Sequence, residues 1–79
     1  MKQPEIEQEI IDMLGMAFTT DEAPTPGSTL DDLGLDSLDA VQVQLMFEDR
    51  WGEGLLHDYR PDENVKLSDM AAEIARRLA

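Results

Sequence analysis

Three stretches of the chain repeat their apolar residues at helical spacing, and none alternates them as a strand would. In the first, Ile6, Ile10, Met13, Leu14 and Ala17 follow the i, i+4, i+7, i+8 pattern. Glu5, Glu7, Glu9 and Asp12 keep mostly off that stripe. Pro4 suits a first helical turn and the early acids suit the positive end of the dipole, so a helix is expected over residues 4–17. The plainest stretch is the last. Leu67, Met70, Ala71, Ile74, Ala75 and Leu78 line one face of a helix from Ser68 to Leu78, with Arg76 and Arg77 at its negative end. Between these, a helix is expected from Asp36 or Ser37 to Arg50, ended by Trp51-Gly52-Glu53-Gly54 with glycine at the C-cap.

The connections differ in kind. Residues 19–29 are rich in Pro, Gly, Ser and Thr, which block helix and strand alike. Loops this long are uncommon inside a compact domain and often functional. Leu30 and Leu33 are expected to pin its far end to the core. Between the second and last helices, Pro61-Asp62-Glu63-Asn64 has the composition of one short helical turn. The pattern therefore predicts an all-α bundle of three main helices, with a short helix in third position making a four-helix bundle, and one domain over residues 1–79.

The second helix carries more apolar surface than one core contact needs. On a wheel of about 100° per residue, Ala40, Val43, Phe47 and Trp51 gather on one side. Leu38, Val41 and Leu45 gather on another, with Glu48 near its edge. Two stripes mean either a helix buried nearly all round or one with a second face turned to a partner. The wheel alone leaves both open.

Charge narrows the partners. The 79 residues include 18 acids against six Lys and Arg, for a net charge of −12, and residues 3–49 hold twelve acids and no Lys or Arg. Such a surface opposes nucleic acid and anionic membranes, and suits basic proteins. No apolar run approaches the roughly 18 residues of a membrane span, and the acidic start lacks a secretory h-region, so a cytoplasmic monomer is expected. With no Cys, disulfides, thiolate nucleophiles and Cys-based zinc sites are absent.

The second helix opens on Asp32-Leu33-Gly34-Leu35-Asp36-Ser37-Leu38-Asp39. Asp36 or Ser37 suits the N-cap, Asp39 suits the first turn, and Gly34 permits a tight approach. The Ser37 hydroxyl is then exposed at a helix start, where backbone amides and the dipole would favour an attached phosphate.

Through Leu33-Gly34-Leu35-Asp36-Ser37-Leu38-Asp39-Ala40-Val41 and the acid-rich Phe47-Glu48-Asp49-Arg50-Trp51-Gly52, the sequence resembles the acyl carrier protein family. The resemblance extends over nearly the whole chain. It implies that Ser37 receives 4′-phosphopantetheine from coenzyme A through a separate phosphopantetheinyl transferase, and that Asp36 caps the helix and helps that enzyme recognise the site. It implies that Leu38, Val41 and Leu45 face partners while Val43, Phe47 and Trp51 face the core. Asp39, Glu48 and Asp49 would add charge that meets Lys and Arg on loading and synthase enzymes. The protein would then be a carrier and not an enzyme, holding acyl-type intermediates as thioesters on the only thiol present.

Trp51-Gly52-Glu53-Gly54-Leu55-Leu56-His57-Asp58-Tyr59-Arg60-Pro61-Asp62 departs from the turn and third helix of fatty-acid carriers, and Gln42 and Gln44 depart from their usual residues. These changes leave fatty-acyl cargo and a specialised aminoacyl, peptidyl or polyketide cargo both open. Readings of another class are weaker. His57 has no motif partner for catalysis, and Asp31, Asp32, Asp36 and Asp39 lack the glycine and glutamate spacing of a calcium loop. An unmodified helical adaptor would need only the Leu38-Val41-Leu45 stripe.

Overall fold

The computed structural model describes all residues from Met1 to Ala79 and contains three helices: α1, Gln3–Ala17; α2, Ser37–Trp51; and α3, Leu67–Leu78. α1 starts with a capping box in which Glu5 Oε1 accepts the Lys2 amide at 3.2 Å, and Pro4 sits in its first turn. Gln3 Nε2 donates to the Ser68 carbonyl at 3.1 Å, tying the starts of α1 and α3 together.

Each helix contributes one stripe to a common core. Ile6, Ile10 and Leu14 come from α1, Ala40, Val43 and Phe47 from α2, and Leu67, Met70, Ala71 and Ile74 from α3. The loops add Leu30, Leu33, Leu35 and Leu56. Fully burying one such Leu, Ile or Phe side chain contributes about 1.5–3 kcal/mol, so the loop leucines matter as much as the helical ones. The stripe on α1 is narrower than expected. Met13 is half-buried at the core edge and Ala17 is exposed, because α1 ends there and the chain turns away at Phe18.

The long loop is stitched down rather than free. Asp31 donates its amide to the Glu63 carbonyl at 2.9 Å, Leu67 to Ser28 at 2.8 Å and Ser68 to Pro26 at 2.9 Å. An isolated antiparallel bridge joins Thr29 and Lys66. The buried Ser28 accepts the Thr25 amide at 3.0 Å, so its hydroxyl is satisfied inside the loop.

No fourth helix forms. Pro61–Asn64 contains one turn, closed by the Val65 amide on the Asp62 carbonyl at 3.1 Å. Before it, Leu55, His57 and Tyr59 each donate to the residue three positions back, giving successive tight turns. Gly52 and Gly54 at positive φ break the helical path, and the irregular residues 59–62 leave no run long enough to propagate one. Arg77 of α3 holds this segment in place: Nη1 donates to the Leu55 carbonyl at 3.0 Å and to Asp58 Oδ1 at 2.5 Å, while Nε meets Glu73 Oε2 at 2.6 Å. The guanidinium also lies 5.4 Å from the Tyr59 ring centre, and burial pushes the Tyr59 hydroxyl up. Arg77 beside Asp58, and Arg76 followed by Arg77 beside Glu73, hold both carboxyls below their ordinary range.

Gly34 is the tight approach expected. Its φ is +81°, and a Cβ there would stand 2.5 Å from Asp21 Oδ2, where the Asp21 amide reaches back to the Leu33 carbonyl at 3.0 Å. Gly34→Ala should destabilise the fold by about 1–2 kcal/mol. Gly15→Ala, at a helical position with no atom within 4 Å of the new Cβ, should stabilise it by about 0.5–1 kcal/mol. Urea denaturation of the two variants checks the opposite signs.

Candidate functional site

α2 begins where Asp36, in extended conformation with φ −101° and ψ −171°, turns the chain. Asp36 Oδ1 accepts the amides of Leu38 and Asp39 at 3.0 Å each, and Asp39 Oδ2 accepts the Asp36 amide at 3.0 Å. The bonds form a closed capping box around Ser37, the first helical residue. Ser37 itself is exposed. The Asp39 amide foremost, and also the Leu38 amide, hold the Asp36 carboxyl below its ordinary value of 3.8.

This cap alters the reading of the helix start as an anion site. Two amides that would otherwise meet a phosphate are engaged by Asp36, an acceptor fixed within the chain. The dipole remains, but the free amides are fewer than the sequence suggests.

The two stripes of α2 separate cleanly. Ala40, Val43 and Phe47 are buried, and Trp51 is half-buried against Phe47, with ring centres 5.7 Å apart in an edge-on arrangement. Leu38, Val41 and Leu45 are 78%, 37% and 61% exposed. The wheel's two alternatives thus resolve into a helix with one face in the core and one apolar face in solvent.

The acids assigned to that outer face divide by role. Asp39 is half-buried and committed to the cap. Glu48 is also half-buried, and its Oε2 accepts the Gly54 amide at 2.9 Å, fastening the turn after α2. Asp49 is exposed and, with Leu45, Glu48, Gly52 and Glu53, borders a groove of about 480 Å³. Glu53 escaped the sequence reading because it lies past the helix end, and helical spacing carries no information about a turn. His57 is exposed, with Nδ1 3.1 Å from the Gly54 carbonyl oxygen. The acids of the approach to α2 serve local turns: Asp32 accepts the Thr29 amide at 3.1 Å, and no three carboxylates converge as a metal site.

A second groove, of about 190 Å³, opens beside Ser37 and is bordered by Ala40 and by Arg60, Pro61, Asp62 and Glu63. It joins the start of α2 to the segment that packs before α3. The pattern that describes the phosphopantetheine attachment site matches residues 4–55, from the first turn of α1 to just past α2.

The chain belongs to the phosphopantetheine-attachment family. No curated protein and no solved structure matches it. As a member it is a carrier protein of 4′-phosphopantetheine and not a catalyst. Such carrier domains work with a phosphopantetheinyl transferase and with synthase enzymes. No helix of the chain is long and apolar enough to cross a membrane.

Asp36→Ala removes the acceptor for two amides and should lower the thermal midpoint, whereas Asp36→Asn keeps a neutral acceptor and should lower it less. The pH dependence separates charge from capping. A carboxyl held below its ordinary pKa adds stability that is complete above that value and disappears as pH falls through the lower, folded one. The stability difference between wild type and Asp36→Asn should therefore be constant at neutral pH and shrink below pH 3.8. Melts at a series of pH values measure it.

Proposed function

We propose that Ser37 is the residue that bears 4′-phosphopantetheine, and that the carrier presents acyl-type intermediates on it to successive enzymes. The observation that carries this reading is the placement of Ser37. It is an exposed hydroxyl on the first residue of α2, fixed by a closed cap, inside the stretch that matches the family. The residues around it fit the group: the neighbouring groove is bordered by Ser37 and by Arg60, whose guanidinium a phosphodiester would attract.

In the loading step, Ser37 Oγ forms a bond to phosphorus of coenzyme A as the bond from that phosphorus to the nucleotide part breaks. The serine proton leaves to a base on the transferase. The chain's own contribution is placement: Asp36 and Asp39 keep the first turn of α2 in one conformation, so the hydroxyl meets the transferase without a reordering cost. Once attached, the arm supplies a thiol on which an acyl group is held as a thioester. The chain has no cysteine to compete for that group.

Docking would fall to the exposed stripe of Leu38, Val41 and Leu45, with Asp49 contributing charge and the buried halves of Asp39 and Glu48 holding the helix ends. The partners are a transferase, an acyl- or aminoacyl-loading enzyme and synthase enzymes with basic surfaces. Small, electrostatically steered contacts suit a helix that must bind and release many of them. The cargo class, fatty-acyl or specialised, stays with the identity of those enzymes.

Incubation with coenzyme A, Mg²⁺ and a promiscuous transferase should add one arm by intact-mass spectrometry. Ser37→Ala should add none. An arm on the Ser37→Ala protein, or none on the wild type, overturns the assignment. In the same assay, Leu45→Ala should slow loading at all ionic strengths. Asp49→Asn should slow it chiefly at low salt, by about 2–10-fold, the loss fading as the Debye length shortens to about 3 Å at 1 M.

A further inference from the structure

A phosphodiester on Ser37 would stand among like charges. Asp36 and Asp39 lie within two residues of it, and Asp62 and Glu63 border the groove beside it. The helix start gives only partial relief, since the amides of Leu38 and Asp39 are held by Asp36. One cation borders the same groove, and it is Arg60.

Arg60 is unusual within this chain. Arg50 pairs with Glu9, Arg76 with Glu73, and Arg77 with both Asp58 and Glu73. Arg60 alone among the arginines has no carboxylate partner, although acids outnumber bases 18 to six. Its one bond is long, from Nε to Gln44 Oε1 at 3.4 Å. Pro61, next in the chain, is fully buried and anchors the backbone there. Ser37, Ala40 and Gln44 follow i, i+3, i+7 spacing and so share one stripe of α2. Arg60 thus rests on the stripe that leads up to Ser37, with its guanidinium free to turn across the groove both residues border.

We propose that Arg60 is a docking residue for the arm's own phosphate, pairing with the non-bridging oxygens of the phosphodiester on Ser37. The inference rests on the assignment of Ser37 as attachment residue. A planar guanidinium fits two oxygens of one phosphate, where an ammonium meets them as a point charge. The contact draws the root of the arm toward the Arg60–Glu63 side of α2. The neighbouring stripe of Leu38, Val41 and Leu45 then stays open for enzymes while the arm is at rest. Because the pair is solvent-exposed, salt weakens it.

The test uses the full chain loaded with the arm, its loading verified by intact mass, as wild type, Arg60→Gln, Arg60→Lys and the control Arg76→Gln. The ³¹P resonance of the phosphodiester should move in Arg60→Gln, move less in Arg60→Lys and stay in place in Arg76→Gln. Added salt should carry the wild-type resonance toward that of Arg60→Gln. In ¹⁵N spectra of the wild type, which need no variant to fold, the Arg60 Nε–H resonance should shift between unloaded and loaded protein. A loaded Arg60→Gln protein with the wild-type ³¹P resonance, or an Arg60 Nε–H resonance unchanged by loading, overturns the proposal and leaves Ser37 standing. If the wild type takes up no arm, the assignment of Ser37 falls and this inference with it.

Discussion

The position of Ser37 depends on three hydrogen bonds that do not involve it. Asp36 takes the amides of Leu38 and Asp39, and Asp39 returns the bond to the Asp36 amide. With that turn closed, the rotation of α2 about its axis is decided by Ala40, Val43 and Phe47, which must enter the core. Leu38, Val41 and Leu45 are then left in solvent as a geometric consequence of period 3.6. An exposed hydroxyl, an exposed apolar stripe and a core stripe are thus registered to one another by a single capped helix. Mobility in that first turn would loosen all three together.

The loops hold the helix at the right height. Residues 25–33 and 63–68 are joined by backbone bonds from Asp31, Leu67 and Ser68 and by the Thr29–Lys66 bridge. Leu30, Leu33 and Leu35 convert the far end of the long loop into core. A small domain has little core to spare, so loop residues have to serve in it. Arg77, steadied by Glu73 on its own helix, ties α3 to the turns after α2 through Leu55 and Asp58.

A net charge of −12 is not spread evenly in function. Asp32, Asp36, Asp39 and Glu48 accept backbone amides, which is structural use of negative charge. Glu9, Asp58 and Glu73 are engaged by arginines of α2 and α3. Asp49 and Glu53 are exposed beside the groove at the end of α2, and Asp12, Asp21, Glu22 and Asp31 are exposed elsewhere on the chain. Long-range attraction responds to the total charge, whatever local bonds the individual acids make.

Apolar periodicity was enough to place the three helices, because the spacings of Ile6, Ile10 and Leu14, of Val43 and Phe47, and of Met70 and Ile74 each satisfy a local rule. Local pattern also offered Asp36 or Ser37 as the cap, the glycine stop after α2 and a tight approach at Gly34; that Asp36 is the cap, and that the close neighbour of Gly34 is Asp21 of the long loop, came with the fold. The family could be read from Asp36-Ser37-Leu38 in that setting. Packing was needed to show that Pro61–Asn64 makes a turn and not a helix and that Met13 and Ala17 fall away from the core centre. The exposed stripe of α2, by contrast, is the one the family resemblance implied and the wheel left open. Tertiary structure alone decided that Glu48 is committed to Gly54 and that Arg60, 23 residues past Ser37, borders the same groove. Periodicity reports what a residue's near neighbours in sequence require; the partner of a side chain across a loop is fixed only when the core closes.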